Sequence, residues 1–357
     1  MPAFSLACSP FPVPCSLFPV PCSLFTIHYS LFTIHYSPPM PFKIGGTEIP
    51  PQTRQHLELP VARLPTQTPI SLPVTVIRGP EDGPILWVSA AIHGDEINGV
   101  EIVRRLMDLV TPESLQGTLI MVPIVNVFGF IEQSRYLPDR RDLNRSFPGS
   151  SRGSLASRLA SLFMKEVVSQ STHGIDLHTA SDHRVNLPQI RANLEDAETH
   201  RCAIAFGAPV VIHSTTRDGS LRQAATKQGI PVLLYEAGEA LRFNPQAIEL
   251  GVEGVLRVMA ALGMYDNPPN ATPVPPVEAH KTQWMRSPQG GILLLEVELG
   301  QSVQKREKLG MIVDVFGNIR AKVKAPCDGI IIGMTQNPLV NQGDGIVHLA
   351  RFPNLLG

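Results

Sequence analysis

The sequence predicts an α/β fold, a mostly parallel mixed sheet with helices on both faces, followed by a small all-β domain. Three observations carry this. From about Ile70 to Leu262, short apolar runs alternate with segments whose apolar residues recur at helical spacing, the signature of a parallel sheet covered by helices. The stretch Asn267-Pro-Pro-Asn-Ala-Thr-Pro-Val-Pro-Pro276 breaks that rhythm and reads as a linker. Beyond it the texture changes to short runs punctuated by Gly, in which Ser287-Pro-Gln-Gly-Gly-Ile292 followed by Gly300-Gln-Ser-Val303 looks like a copy of Ala325-Pro-Cys-Asp-Gly-Ile330 followed by Asn341-Gln-Gly-Asp344.

Taken in order, the candidate strands are Ile70–Ile77, Ile85–Ile92, Leu119–Val125, Gly174–Leu177, Val210–Ile212 and Val232–Tyr235, each an apolar run of strand length. The candidate helices between and after them are Glu96–Val110, Ser154–Ser169, Asp196–Phe206, Leu221–Gln228 and Pro245–Leu262. The implied organisation is a head (1–39), an α/β domain (40–266), the linker (267–276) and the β domain (277–357), in which each copy supplies a turn, a strand, a second turn and another strand.

The head is unusual. Residues 11–37 repeat a seven-residue unit in two versions, FPVPCSL and FTIHYSL, and the first 39 residues hold no Lys, Arg, Asp or Glu. The unit is too short and too rich in Pro to bury a core, and it lacks the basic start and unbroken apolar stretch of a secretory signal. A seven-base unit, TTCCCTG or TTCACTA, read through all three frames encodes these seven-residue units. Translated tandem DNA repeats are therefore the expected origin, with a working start at Met40 and disorder over 1–39.

Bulk properties exclude several classes of function. With 357 residues, 43% hydrophobic and 17% charged, and a formal net charge of −1, a large soluble core is expected and no nucleic-acid partner is indicated. No apolar run is long enough to cross a bilayer, no Lys or Arg block marks a membrane-surface face, and a cytoplasmic location is expected. Of the five cysteines, only Cys202 and Cys327 lie outside the head, without CxxC spacing, so neither a disulfide framework nor a Cys-zinc site is expected.

Chemistry is concentrated where apolar runs end. In open α/β sheets ligands sit beyond the carboxyl ends of the strands. There the sequence places His93 and Glu96 after one run, Asn126 after another, then His178, His213 and Glu236. A His and a Glu three residues apart at a strand-to-helix turn can share one cation, and His178 in Asp176-Leu-His178 completes two imidazoles and a carboxylate, the open-site zinc pattern of hydrolases. Asp176, two residues before His178, is read as facing the opposite side of the strand. His213 is a candidate pocket wall, while His173, His183 and His280 are read as surface residues and Glu239 as a helix-start residue.

The second dense motif is Ser134-Arg-Tyr-Leu-Pro-Asp-Arg-Arg-Asp-Leu-Asn-Arg-Ser-Phe-Pro-Gly149, with four arginines. A charge run is usually a solvated face. Here Asn144-Arg145 puts a fork-shaped guanidinium beside an amide, a pairing suited to a substrate carboxylate, and an arginine near a metal can stabilise an oxyanion.

HGDE, DLNRSFPG, DLH and YEAG, in this order and spacing, resemble the succinylglutamate desuccinylase and aspartoacylase family of the zinc carboxypeptidase fold group. The resemblance covers roughly Pro60 to the C-terminus; the head departs from it. It implies one Zn2+ per chain held by His93, Glu96 and His178, with Asp142 orienting the first histidine. It further implies Glu236 as general base and acid, Arg135 polarising the scissile carbonyl, and Asn144 with Arg145 holding the substrate carboxylate. The implied activity is hydrolysis of the amide bond of a small, anionic N-acyl amino acid or related acylated amine by metal-activated water, without an organic cofactor. The β domain likewise resembles the barrel-sandwich hybrid fold of biotinyl and lipoyl domains, but its hairpin tip Val315-Phe-Gly-Asn-Ile319 offers no lysine, so a structural or homo-oligomer-forming role is expected, with substrate covering as the lesser alternative. Two rival readings share the residues: a metallocarboxypeptidase acting on short peptides, and a non-catalytic carboxylate-binding protein.

Overall fold

A computed structural model describes residues 41–352 except residue 182 and residues 271–274. The expectations for the head, and part of the linker, lie outside the described residues. The described chain opens with a small hairpin, β1 (Lys43–Ile44) and β2 (Thr47–Glu48). Then come β3 (Thr53–Arg63), β4 (Pro69–Arg78), β5 (Ile85–Ala90), α1 (Asn98–Leu109), β6 (Thr118–Val122), α2 (Val127–Ile131) and α3 (Leu155–Glu166). They are followed by β7 (His173–Ala180), β8 (Arg184–Ala192), α4 (Ala197–Phe206), β9 (Val210–His213), α5 (Leu221–Thr226), β10 (Val232–Glu239) and α6 (Pro245–Ala261). The remainder, among the described residues, is strand and loop: β11 (Val277–Ala279), β12 (Thr282–Arg286), β13 (Gly291–Leu295), β14 (Ser302–Val303), β15 (Lys308–Val313), β16 (Ile319–Lys324), β17 (Gly329–Thr335), β18 (Leu339–Val340) and β19 (Gly345–Arg351).

One large mixed sheet runs in the order β12-β19-β17-β8-β10-β7-β5-β6-β4-β3, with β9, β11 and β14 attached beside it. The parallel pairing predicted for the α/β region forms the centre, β6-β5-β7-β10. The flanks are antiparallel, which departs from a mostly parallel sheet for a simple reason: β3 and β4 are joined by a short turn, and a parallel pair needs a crossover of a dozen or more residues. On the other side, β8 pairs antiparallel with both β10 and β17, so strands from the C-terminal region extend the same sheet.

Helices cover both faces because the central strands are apolar on both. Leu86, Val88 and Ala90 of β5 pack with residues of α1, α4 and α6, whereas Trp87 packs with α2, α3 and α5. Each predicted helix forms; Ser154, Asp196, Ser220 and Asn244 cap the starts of α3, α4, α5 and α6 through side-chain oxygens. The C-terminal strands β16-β15-β13-β18 form a separate four-stranded sheet over its own apolar cluster, including Leu309, Ile312, Ile331 and Leu349. A further cluster, with Val210 and Ile212 against Ala279, Ile330 and Ile332, ties that region to β9.

Candidate metal centre and active-site cavity

His93 reaches the cavity because β5 stops early. Ala91 takes a left-handed conformation (φ 50°) and turns the chain off the sheet, so the expected strand Ile85–Ile92 ends at Ala90. Gly94 is then required: a Cβ there would lie 1.9 Å from the carbonyl carbon of Gly129, where α2 crosses closely. Glu96 falls in the following turn, ahead of α1, with its carboxylate directed at both imidazoles.

The three side chains are buried and tightly arranged. Glu96 Oε1 lies 2.7 Å from His93 Nδ1 and Oε2 lies 2.8 Å from His178 Nδ1, and the Thr179 amide donates to Oε2 at 3.2 Å. The far nitrogens are also held by carboxylates, His93 Nε2 by Asp142 at 3.3 Å and His178 Nε2 by Asp176 at 2.7 Å. Ser89 donates to Asp176 at 2.9 Å and fixes it in turn. The expectation for Asp176 is thereby corrected: with a strand period of two, residues 176 and 178 share a face, and the aspartate lies beneath its histidine. Arg135 donates to Asp142 at 2.9 Å and to Glu96 at 3.3 Å.

Electrostatics follow from this packing. Burial opposes ionisation of Glu96, but the flanking imidazoles hold its carboxyl well below the usual carboxylate range. Burial likewise works against charge on His178, but Asp176 and Glu96 overcome it and raise its pKa well above the ordinary histidine value. Asp142 is held low despite burial, by His93 and Arg135. Three carboxylates, Glu96, Asp142 and Asp176, thus surround the two imidazoles, and a metal ion bound there would take the place of ring protons that these carboxylates stabilise. His93, Glu96 and His178 present one ligand atom each, all within 4.8 Å of one another. Two imidazole nitrogens and a carboxylate, with carboxylates on both far nitrogens, is the donor set and outer support that zinc takes in open sites.

A cavity of about 240 Å³ opens over this group. It is lined by seven of the predicted site residues, His93, Glu96, Arg135, Asn144, Arg145, His178 and Glu236, while Asp142 supports His93 from behind. Glu236 lies opposite His178 in the β10–β7 register. Asn144 sits in a single helical turn, Leu143–Arg145, started by the Asp142 side chain; its Oδ1 accepts from the Leu221 amide at 2.9 Å, and its Nδ2 donates to no group among the described residues.

Three candidates lie elsewhere. Asn126 caps α2, accepting from the Gly129 amide. His213 accepts from the Leu194 amide and stacks on His280. Glu239 is the last residue of β10, paired with Arg242 in a neighbouring cleft, and α6 starts later, at Pro245; it is a strand end and not a helix start.

The sequence reading missed the cavity wall built by β8 and its surroundings. Arg184, Asn186 and Arg191 of β8 line it, with Arg217 and Arg222 from the segment before and into α5. Burial and Arg191 pull Arg222 down to about 10. Trp284 of β12 is also in the wall, with the Arg184 guanidinium 5.0 Å from its ring centre and His348 stacked at 4.6 Å. The signal was present in the charged residues of Arg184-Val-Asn-Leu-Pro-Gln-Ile-Arg191, but a bulge hides their common face.

The catalytic-domain model of the succinylglutamate desuccinylase/aspartoacylase family matches residues 82–262. The chain is 28% identical over 278 residues to the N-alpha-acetyl-L-2,4-diaminobutyric acid deacetylase of Halomonas elongata, covering 74% of this chain and 81% of that protein. It superimposes on a succinylglutamate desuccinylase/aspartoacylase of Rhodobacter sphaeroides with a TM-score of 0.74 and 26% identity, over 84% of this chain and 96% of the other. The product-bound ectoine utilization protein EutE (DoeB) of Ruegeria pomeroyi shares the fold, with a TM-score of 0.76, 23% identity, and coverage of 85% and 97%.

Proposed function

The chain belongs to the succinylglutamate desuccinylase/aspartoacylase family, and on that premise we propose that it is a zinc-dependent deacylase hydrolysing the amide bond of a small N-acyl amino acid. The observation that carries this reading is the arrangement around Glu96: one carboxylate between two Nδ1 atoms, Asp142 and Asp176 on the far nitrogens, and Glu236 in the same cavity. His93, Glu96 and His178 would hold one zinc ion, which supplies Lewis-acid chemistry, lowering the pKa of water and polarising a carbonyl.

The remaining steps belong to side chains. Glu236 takes a proton from the attacking water and returns it to the leaving amine. Arg135, set by Asp142 and Glu96 at the edge of the cavity, faces the charge that develops on the carbonyl oxygen. Arg145 and the free Nδ2 of Asn144 hold the substrate carboxylate. Arg145, Arg184 and Arg217 have no carboxylate partner among the described residues, and this surplus of positive charge supports an anionic ligand. The cavity volume suits a small acyl amino acid. The all-β segment is read as a barrel-sandwich domain whose Trp284 reaches the cavity, which favours substrate covering among its roles.

A panel of N-acetyl and N-succinyl amino acids, N-acetyl-2,4-diaminobutyrate and dipeptides, assayed with added zinc, tests the reading. Turnover of an N-acyl amino acid above that of any dipeptide is expected. Preference for dipeptides would move the assignment to a carboxypeptidase, and zinc binding without turnover of any compound would leave a carboxylate-binding protein.

A further inference from the structure

We infer that Asn186, on β8, is a positioning residue for the Glu236 carboxylate, held in place by the C-terminal strand β17; the inference rests on the role proposed above for Glu236. Asn186 is buried, and its Nδ2 donates to Glu236 Oε2 at 2.6 Å. On the other side of the same carboxylate, Arg191 places its Nε 3.5 Å from Oε1, and that Nε has no hydrogen-bond partner among the described residues. Both oxygens of Glu236 therefore face donors from one strand.

The backbone is shaped for this. Residues 186 and 191 are an odd number apart and would face opposite sides of a regular strand. Between Glu236↔Gln189 and Gly238↔Asn186, however, β8 uses one residue more than β10, a bulge at Leu187-Pro188 that returns both side chains to the cavity face. Pro188 suits that position because it has no amide to donate to a ladder. A second bulge, on β10 between Glu236 and Glu239, interrupts the ladder with β7 directly after the Glu236–His178 pair.

Asn186 in turn depends on β17. It pairs with Gly333, and a Cβ on Gly333 would lie 2.8 Å from Asn186 Oδ1, closer than such atoms pack. Gln189, two residues beyond Leu187, donates its Nε2 to the Ile332 carbonyl at 3.3 Å and ties β8 to the same strand. The C-terminal region thus contributes to the reaction through the position of the general base, in addition to any covering of substrate.

The test is a double-mutant cycle in the full chain on the best substrate of the panel, with zinc content and melting temperature measured for every variant. Asn186→Ala is expected to lower kcat about ten- to a hundredfold, with KM and zinc content little changed, because a small displacement of a reacting group has effects of that order. In a Glu236→Gln background the same substitution should have no further effect on the residual rate. Gly333→Ala, which touches neither the metal group nor Glu236, should reproduce the kcat loss and should not add to Asn186→Ala. Full kcat in Asn186→Ala, or an equal loss with and without Glu236, would overturn the inference. Full activity in Glu236→Gln alone would instead overturn the role of Glu236 on which it rests.

Discussion

At the scale of single residues, the carboxylates of the candidate site are distinguished by what surrounds them. Asp142 and Asp176 are alike in chemistry and position, each on the far nitrogen of one imidazole. Asp142→Asn and Asp176→Asn should each weaken zinc affinity about ten- to a hundredfold, measured by competition with a chromogenic chelator, since outer carboxylates orient the ring and raise its basicity. Glu236 and Glu239 differ by place: one lies opposite His178, the other at the strand end beside Arg242. Glu236→Gln should keep its zinc and lose about a hundredfold or more in turnover, whereas Glu239→Gln should stay near the parent enzyme. Arg145→Ala should act mainly by raising KM, because a carboxylate clamp is engaged in ground and transition state alike. Steady-state kinetics of the three on one substrate separates these roles; a healthy Glu236→Gln beside a dead Glu239→Gln would reverse the choice of glutamate.

At the scale of elements, the positions where sequence patterns succeeded and failed have identifiable causes. The apolar runs of β5, β6, β7 and β10 were legible because strands buried on both faces are continuously apolar. β3 was missed because its half-exposed sequence, TRQHLELPVAR, carries only the weaker alternating signal. β8 was missed because its bulge breaks that alternation, and the arginines and asparagine of the cavity wall were missed with it. The Asp176–His178 pair was misjudged by phase alone, since the residues themselves were in view. In β19, burial first, and then Arg191 and Arg184, push His348 down to about 3, and its Nδ1 has no partner among the described residues. It stays neutral in the folded chain while its unfolded form takes a proton near the ordinary histidine value, so its contribution to stability is present above about pH 6.5 and is lost as pH falls toward the folded value. His348→Phe, which keeps an aromatic ring against Trp284, should lose less melting temperature than the parent chain between pH 6.5 and 4.5; parallel curves would show that His348 carries no such linkage.

At the scale of the molecule, the ends of the central strands and the loop after α2 converge on one cavity, and a strand order that continues into the C-terminal region supplies its remaining wall. That convergence explains how so much of the centre was legible in advance. Residues directly after apolar runs gather at the carboxyl edge of any such sheet, so His93, Glu96, His178 and Glu236 could be collected by their place in the sequence. The contribution of β8, β12 and β17 could not, because it depends on pairing between strands far apart in the chain. The claim that joins these scales is that one zinc ion, held by His93, Glu96 and His178, is required for deacylation. Its most direct test is a titration of metal-free protein with zinc, following hydrolysis of the best N-acyl amino acid in the same samples. Activity should start near zero, rise in proportion to bound zinc and level off at one ion per chain; full activity in the metal-free protein, unchanged by added zinc, would contradict the account.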